Sequence, residues 1–173
     1  MRSKRPAHAR RARPAGCAIL TVSDTRGRGD DASGDTVARH LTAAGHAIVA
    51  RAWVKDEVPA IRRAVRAALA RRAVDAILVT GGTGVAPRDR TPEALATLLD
   101  RDLAGFGELF RMLSYRQVGS AAWLSRAGAG IAKGRLVVWL PGSTKAVELA
   151  MEKLVVPELD HALRLLDRSM RGA

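Results

Sequence analysis

Apolar and polar positions alternate along this chain with two different periods. Residues 17–23, CAILTVS, form a short apolar run that predicts a buried strand. In 34–45, GDTVARHLTAAG, Val37, Leu41 and Ala44 recur at helical spacing, with Ser33 as the expected N-cap and Gly45 as the stop. Residues 46–54 predict a second strand. The segment from Asp56 then carries Val58, Ile61, Val65 and Leu69 on one helical face and arginines on the other. Asp56 and Glu57 precede or open that helix, where carboxylates suit the dipole. Residues 74–80, VDAILVT, are apolar at nearly every position, as strands covered on both faces are. A helix from Pro92 to about Leu99 follows, with Thr91 expected to cap it. Residues 105–133 are punctuated by glycine and show no clear period. RLVVWLP (135–141) predicts a last core strand. Val147, Met151, Leu154 and Val155 then mark an amphipathic helix, and PELDHALRLLD predicts a further closing helix.

Strand, helix, strand, helix, strand with short connections implies an α/β domain: a mostly parallel sheet with helices on both faces, a three-layer αβα sandwich. Parallel strands would send SDTRGRGDDASG, KDE, GGTGVAPRD and PGST to one edge of the sheet, the carboxyl edge, where open α/β sheets bind ligands.

The formal net charge of +12 changes this picture little. The first 16 residues hold six Lys or Arg and no acid; taking those six from 29 leaves 23 basic residues against 17 acidic ones. Residues 1–15 therefore read as a basic, disordered and dispensable tail ahead of a domain spanning 16–168. The tail lacks an aromatic residue for base stacking, and no nucleic-acid motif follows it. It also lacks the apolar core of a secretion signal, and no run approaches the ~18 residues of a membrane span. The lone Cys17 cannot form an internal disulfide, which fits a reducing, cytoplasmic setting.

Candidate chemistry sits in the loops. Gly81, Gly82 and Gly84 free the main chain of Cβ atoms and permit positive φ, so that backbone N–H groups can cradle an anion; a tight turn would need the same glycines for geometry alone. Neither G-x-x-x-x-G-K-[ST] nor G-x-G-x-x-G after a strand is present, and GAGIAKG (128–134) has the wrong spacing. Pro141, Gly142 and Ser143 lead into a helix whose start suits phosphate or carboxylate, or Ser143 simply caps it. Asp24, Asp56 and Asp89 occupy three of the loops, and two or three such carboxylates can share Mg²⁺ with substrate phosphates. Asp30 and Asp31 read as cap or surface charges. Arg26, Arg88 and Lys145 can offset substrate charge. The four histidines show no metal-ligand spacing, and no Ser/His/Asp or Cys/His arrangement is readable.

TVSDTR, KDE, GGTGVAPRDRTPEA, GFGELFRMLSY, SAAWLSR and LPGST together resemble the MoaB and MogA family of molybdenum cofactor biosynthesis proteins, from about Cys17 to Leu163. GGTG alone would also admit domains of molybdenum insertion enzymes and competence-damage-type proteins; followed by RD-x-TPE and GFGE it is specific. SDTR, FRMLSYRQVGSAAWLSRA and LAMEKLVVPEL look more like the MoaB branch. At Thr144 and Lys145 the chain departs from many relatives, which carry proline there.

The resemblance implies a homotrimer or hexamer that binds molybdopterin, a pterin dithiolene carrying a phosphate. It implies that this phosphate attacks the α-phosphate of ATP with Mg²⁺, giving adenylylated molybdopterin and pyrophosphate. It assigns Asp56 and Asp89 as the functional aspartates, and Ser23, Asp24, Gly81, Gly82, Thr83, Gly84, Pro141, Gly142 and Ser143 to the ligand; Arg88 joins them from its place beside the glycines, and the shared rim of Asp56 and Asp89 predicts that the two help hold Mg²⁺ on the ATP phosphates. A non-catalytic molybdopterin carrier is the alternative, and a basic nucleic-acid-associated protein the remote one. Independently, Phe106, Leu109, Phe110, Met112, Leu113, Trp123 and Leu124 gather large apolar side chains in one region, which predicts either a subunit contact or a second small core.

Overall fold

Strands without a polar face can only lie inside. β1 (Gly16–Val22) and β3 (Ala76–Thr80) are buried at every position, and β6 (Arg135–Leu140) at every position after its first. The computed structural model describes residues 13–171 except Arg26 and Arg28. With β2 (Ala47–Val54), β4 (Arg101–Asp102) and β5 (Gly128–Ala132), these strands form one six-stranded sheet in the order β2-β1-β3-β6-β5-β4. The β2-β1, β1-β3 and β3-β6 pairs are parallel; β6-β5 and β5-β4 are antiparallel. The sheet is therefore mixed, with the expected parallel part at its centre.

Alternation along the strands sorts side chains to two cores. Ile19, Leu78, Val138 and Leu140 join Leu41 of α1 (Ala32–Ala43), Phe110 of α4 (Ala104–Val118) and Val147 of α5 (Thr144–Ala150), together with Leu159 of α6 (Val156–Arg171). Leu20, Val79, Val137 and Trp139 join Ile61, Val65 and Leu69 of α2 (Val58–Leu69) and Leu95 of α3 (Thr91–Ala96). Two cores back to back across one sheet make the three αβα layers. Each fully buried Leu, Ile or Val stabilises by roughly 1.5–3 kcal/mol.

Several element ends differ from the sequence reading. The N-cap of α1 is Asp31, not Ser33: its Oδ1 accepts from the Gly34 N–H at 2.9 Å. Oδ2 of Asp31 accepts from Thr21 Oγ1 (2.8 Å), Arg51 Nη2 (2.9 Å) and Trp53 Nε1 (3.0 Å). This carboxylate is thus a cap, as expected, but a buried one that joins α1 to β1 and β2. Thr91 begins α3 rather than capping it, and its hydroxyl donates to the Gly81 carbonyl at 2.8 Å. Gly45, at φ 87°, does follow α1 as its stop.

The unreadable stretch 105–133 holds most of α4, a 3₁₀ turn (Gly119–Leu124) and β5. GAGIAKG is β5 plus a two-residue hairpin turn: Lys133 (φ 48°) and Gly134 (φ 69°) both adopt the positive φ of a type I′ turn. The final two helices are one continuous rod. Pro157 cannot donate to the preceding turn, and just ahead of it Met151–Val155 widens into a π-turn, with the Val156 N–H reaching back to the Met151 carbonyl. Among the described residues no helix is long and apolar enough to cross a membrane.

Residues 1–12 lie outside the described residues, but 13–15 belong to the packed structure. Arg13 forks onto Asp75, Nη1 to Oδ2 and Nη2 to Oδ1, both at 2.8 Å. Ala15 is fully buried, and its N–H donates to His46 Nδ1 at 3.3 Å. Deleting residues 1–12 should therefore leave the melting temperature unchanged, whereas deleting 1–15 should lower it by about 2–4 °C for each kcal/mol lost. Differential scanning calorimetry of the two truncations checks this.

Candidate functional site

Because β1, β2, β3 and β6 run parallel, their four following loops meet at one edge and enclose a cleft of about 580 Å³. Its floor is the glycine turn. Gly81 (φ 94°) passes so close to β1 that a Cβ there would lie 2.1 Å from the Val22 carbonyl oxygen. Its N–H donates to the Leu140 carbonyl of β6 at 2.9 Å. Gly82 (φ 64°) packs on Asp56, where a Cβ would lie 2.7 Å from Oδ2 and 2.5 Å from Thr91 Oγ1. Both glycines are demanded by positive φ and by close approach together.

The carboxylates differ in setting. Asp56, 8% exposed, enters from the β2–α2 loop, and its Oδ1 accepts from the Arg90 N–H at 3.1 Å. Burial pushes its pKa above the ordinary aspartate range; the Arg90 amide opposes the rise, and the charges of Asp89 and Asp24 add to it. Asp24, from the β1–α1 loop, takes a forked pair from Arg88, Nε to Oδ2 at 2.7 Å and Nη2 to Oδ1 at 2.9 Å. That hydrogen-bonded guanidinium holds the Asp24 carboxyl below its usual range. Asp24 Oδ1 also accepts from the Asp56 N–H at 3.2 Å, so two loops are latched side by side. Asp89 Oδ2 accepts from the Ala86 N–H at 2.9 Å, within its own loop.

Ser23, Asp24, Asp56, Gly81, Gly82, Thr83, Gly84, Arg88, Asp89, Pro141 and Gly142 all line this cleft. Ser143 does not: it caps α5, its Oγ accepting from the Ala146 N–H at 3.4 Å. It faces an adjoining groove of about 810 Å³ with Thr144 and Lys145. Arg26 lies outside the described residues. Besides Val22 and Thr25, which flank Ser23 and Asp24, three residues of one further segment belong to the cleft region without a site reading from the sequence. Leu124 and Ser125 form part of its wall. Arg126 grips the glycine turn from behind, its N–H donating to the Thr83 carbonyl at 2.9 Å and its Nε to the Gly84 carbonyl at 2.8 Å. The one signal for them was their place in SAAWLSR, which was weighed for subunit contact.

Chemically, the rim offers main chain without side-chain cover, one guanidinium and three carboxylates. Among the described residues no three His, Cys, Asp or Glu side chains converge as a complete metal cage. Such a rim suits a hard cation that draws its remaining oxygen ligands from a bound phosphate and water, as Mg²⁺ does.

A family model described as "Probable molybdopterin binding domain" matches residues 18–161. The chain is 50% identical over 149 residues to molybdenum cofactor biosynthesis protein B of Bacillus subtilis (strain 168), covering 86% of this chain and 88% of that one. A crystal structure of a molybdenum cofactor biosynthesis protein B superposes with a TM-score of 0.88 at 45% identity, over 90% of this chain and 98% of that chain. The molybdopterin biosynthesis Mog protein of Mycobacterium ulcerans superposes at 0.80 with 30% identity, over 89% and 98%. The higher identity to the protein B relatives agrees with the branch read from the motifs.

The raised pKa of Asp56 has a sign that can be measured. A carboxyl whose folded pKa lies above its unfolded value binds the proton more tightly when folded. Its contribution to stability is full below the unfolded pKa and is lost as pH rises through the folded one. Asp56→Asn keeps an acceptor for the Arg90 N–H and removes the buried charge. It should melt higher than the parent at neutral pH, with the gap closing as pH falls toward the ordinary aspartate range. Melting temperatures of the two proteins across pH check this.

Proposed function

The chain belongs to the MoaB and MogA family of molybdenum cofactor biosynthesis proteins, and from that premise we propose that its cleft binds molybdopterin and Mg-ATP and joins them as adenylylated molybdopterin. In this reading a phosphate oxygen of molybdopterin forms a bond to the α-phosphorus of ATP, the bond from that phosphorus to the bridging oxygen of the β-phosphate breaks, and pyrophosphate leaves. Such transfer asks the protein for positioning and charge neutralisation and for little covalent work.

The convergence of Asp24, Asp56 and Asp89 with the bare main chain of Gly81–Gly84 on one rim carries the proposal. The glycine turn lets phosphate oxygens approach the backbone. Arg88, held over the cleft by Asp24, meets the negative charge of a phosphate. Asp56 and Asp89 would hold Mg²⁺, which when bound supplies charge neutralisation on the ATP phosphates. Asp56 is disposed for this by its burial, since a carboxylate kept from water at some cost is relieved by a cation.

The proposed active form is an assembly of several copies. Of the apolar cluster read from the sequence, Phe110 is buried and Phe106 and Leu113 are partly buried against it, so those three join the main core on that face of the sheet rather than a separate small one. Leu109, Met112, Tyr115 and Val118 of α4 stand exposed beside Trp123 (72% exposed) and Leu124. An apolar face of this kind fits a second copy of the chain.

Purified protein with molybdopterin, ATP and Mg²⁺ should release pyrophosphate. Asp89→Asn should lower that rate by roughly 10²–10³, the scale of a lost electrostatic contact of ~2.7–4 kcal/mol, while molybdopterin binding is retained. Binding without pyrophosphate release in the parent would favour the carrier reading; a wild-type rate in Asp89→Asn would remove Asp89 from the chemistry. For the assembly, Trp123→Glu should shift light scattering from oligomer to monomer at micromolar concentration, and a monomeric parent would refute it.

A further inference from the structure

Arg126 does not line the cleft, yet it is bonded to much of the loop that does. It follows the 3₁₀ turn, just before β5. Its guanidinium reaches three points: Nε donates to the Gly84 carbonyl at 2.8 Å, Nη2 to the Asp89 carbonyl at 2.6 Å, and Nη1 to Glu93 Oε1 at 2.5 Å. With its own N–H on the Thr83 carbonyl, one residue is tied to positions 83, 84, 89 and 93. Within the loop, the Thr91 N–H closes its base on the Gly82 carbonyl at 3.0 Å, and farther out the Ala86 N–H donates to Asp89 Oδ2 and the Asp89 N–H to the Ala86 carbonyl, both at 2.9 Å.

Arg126 is in turn anchored. Trp139 Nε1 of β6 donates to its carbonyl at 2.8 Å. The Trp139 ring lies against Gly128, where a Cβ would come within 2.4 Å of it. On the other side, Arg111 of α4 donates from Nη1 to the Ser125 and Ala127 carbonyls, each at 3.3 Å. A planar fork with donors at fixed angles can span two carbonyls and a carboxylate at once; an ammonium on a flexible stem cannot. Hydrogen bonds with a charged donor are also the stronger kind.

We propose that Arg126 is the positioning residue of this site, which fixes the glycine-rich loop and, through the main chain of residue 89, aims the Asp89 carboxylate at the cleft. Its kinetic consequence rests on the adenylyl-transfer reading above; its effect on the loop does not. The test uses the full-length chain with Arg126→Gln and Arg126→Lys. Hydrogen–deuterium exchange should show the amides of Ala86, Asp89 and Arg90 exchanging roughly tenfold faster or more in Arg126→Gln, the scale of a lost charged hydrogen bond. Core strand amides should keep parental rates. Arg126→Lys should rescue the loop only in part and supplies the same measurement if Arg126→Gln does not fold.

In the pyrophosphate assay, kcat should fall with little change in KM for molybdopterin. Arg126→Gln added to Asp89→Asn should lower the rate by much less than it lowers the parent's, because both act through one carboxylate. Parental exchange at the three amides, or full additivity with Asp89→Asn, would overturn the proposal. A parent that releases no pyrophosphate would defeat the adenylylation reading and leave the exchange result to decide the role of Arg126.

Discussion

One steric constraint organises the site: the contact of Gly81 with the end of β1. A carbonyl oxygen lies 2.1 Å from where its Cβ would be, so nothing larger than glycine can stand there at that spacing. That closeness keeps β3 in register between β1 and β6 to its last residue, with Thr80 beside both Thr21 and Leu140. The chain then turns across the strand ends through the Gly81 N–H to Leu140 and the Gly82 carbonyl to the Thr91 N–H. Asp56 can approach because Gly82 offers no side chain either. The sheet's closeness at this point and the openness of the cleft above it have one cause.

Around that turn the polar groups form two systems with different work. Beneath the first loop, Asp31 joins Thr21, Trp53, Arg51 and the start of α1, and Ser33 Oγ reaches Thr80 Oγ1 at 3.2 Å; this network is buried and architectural. Above it, Asp24 and Arg88 are exposed and Asp89 is half-buried, while Asp56 stays buried, and the Asp24–Arg88 pairing is open to exchange with a ligand. An exposed pair such as Arg88–Asp24 contributes little to stability, so an incoming anion would displace it at small cost. The buried network would lose far more by any rearrangement.

Legibility in the sequence followed the range of the interactions. β1, β3 and β6 were readable because burial on both faces leaves no polar position. The glycine turn and Ser143 were readable because their chemistry is local. Asp31 read as a cap or surface charge, but its burial and its precedence over Ser33 were not legible because they come from Thr21 and Trp53, 10 and 22 residues away along the chain. β5 was hidden because two of its five residues are glycine: at Gly128 the Trp139 ring, and at Gly130 the Arg101 carbonyl and Leu99, occupy the space of a side chain. Arg126 looked like any surface arginine, since its partners are main-chain carbonyls that carry no residue signature. The short α3, which ends at Ala96 rather than near Leu99, shows how little a periodic pattern fixes an element's end.

The ion pair of Arg13 with Asp75 has a practical side. It sits where β1 and β3 begin, so the chain enters the sheet at the pole opposite the cleft. Seven residues of strand, roughly 20 Å at ~3.3 Å each, separate that entry point from Ser23. An affinity tag or a fused reporter joined ahead of Arg13 is therefore delivered to the far end of the molecule. A fusion made there leaves the mouth of the cleft open to solvent, whereas insertion into any of the four loops would fill it.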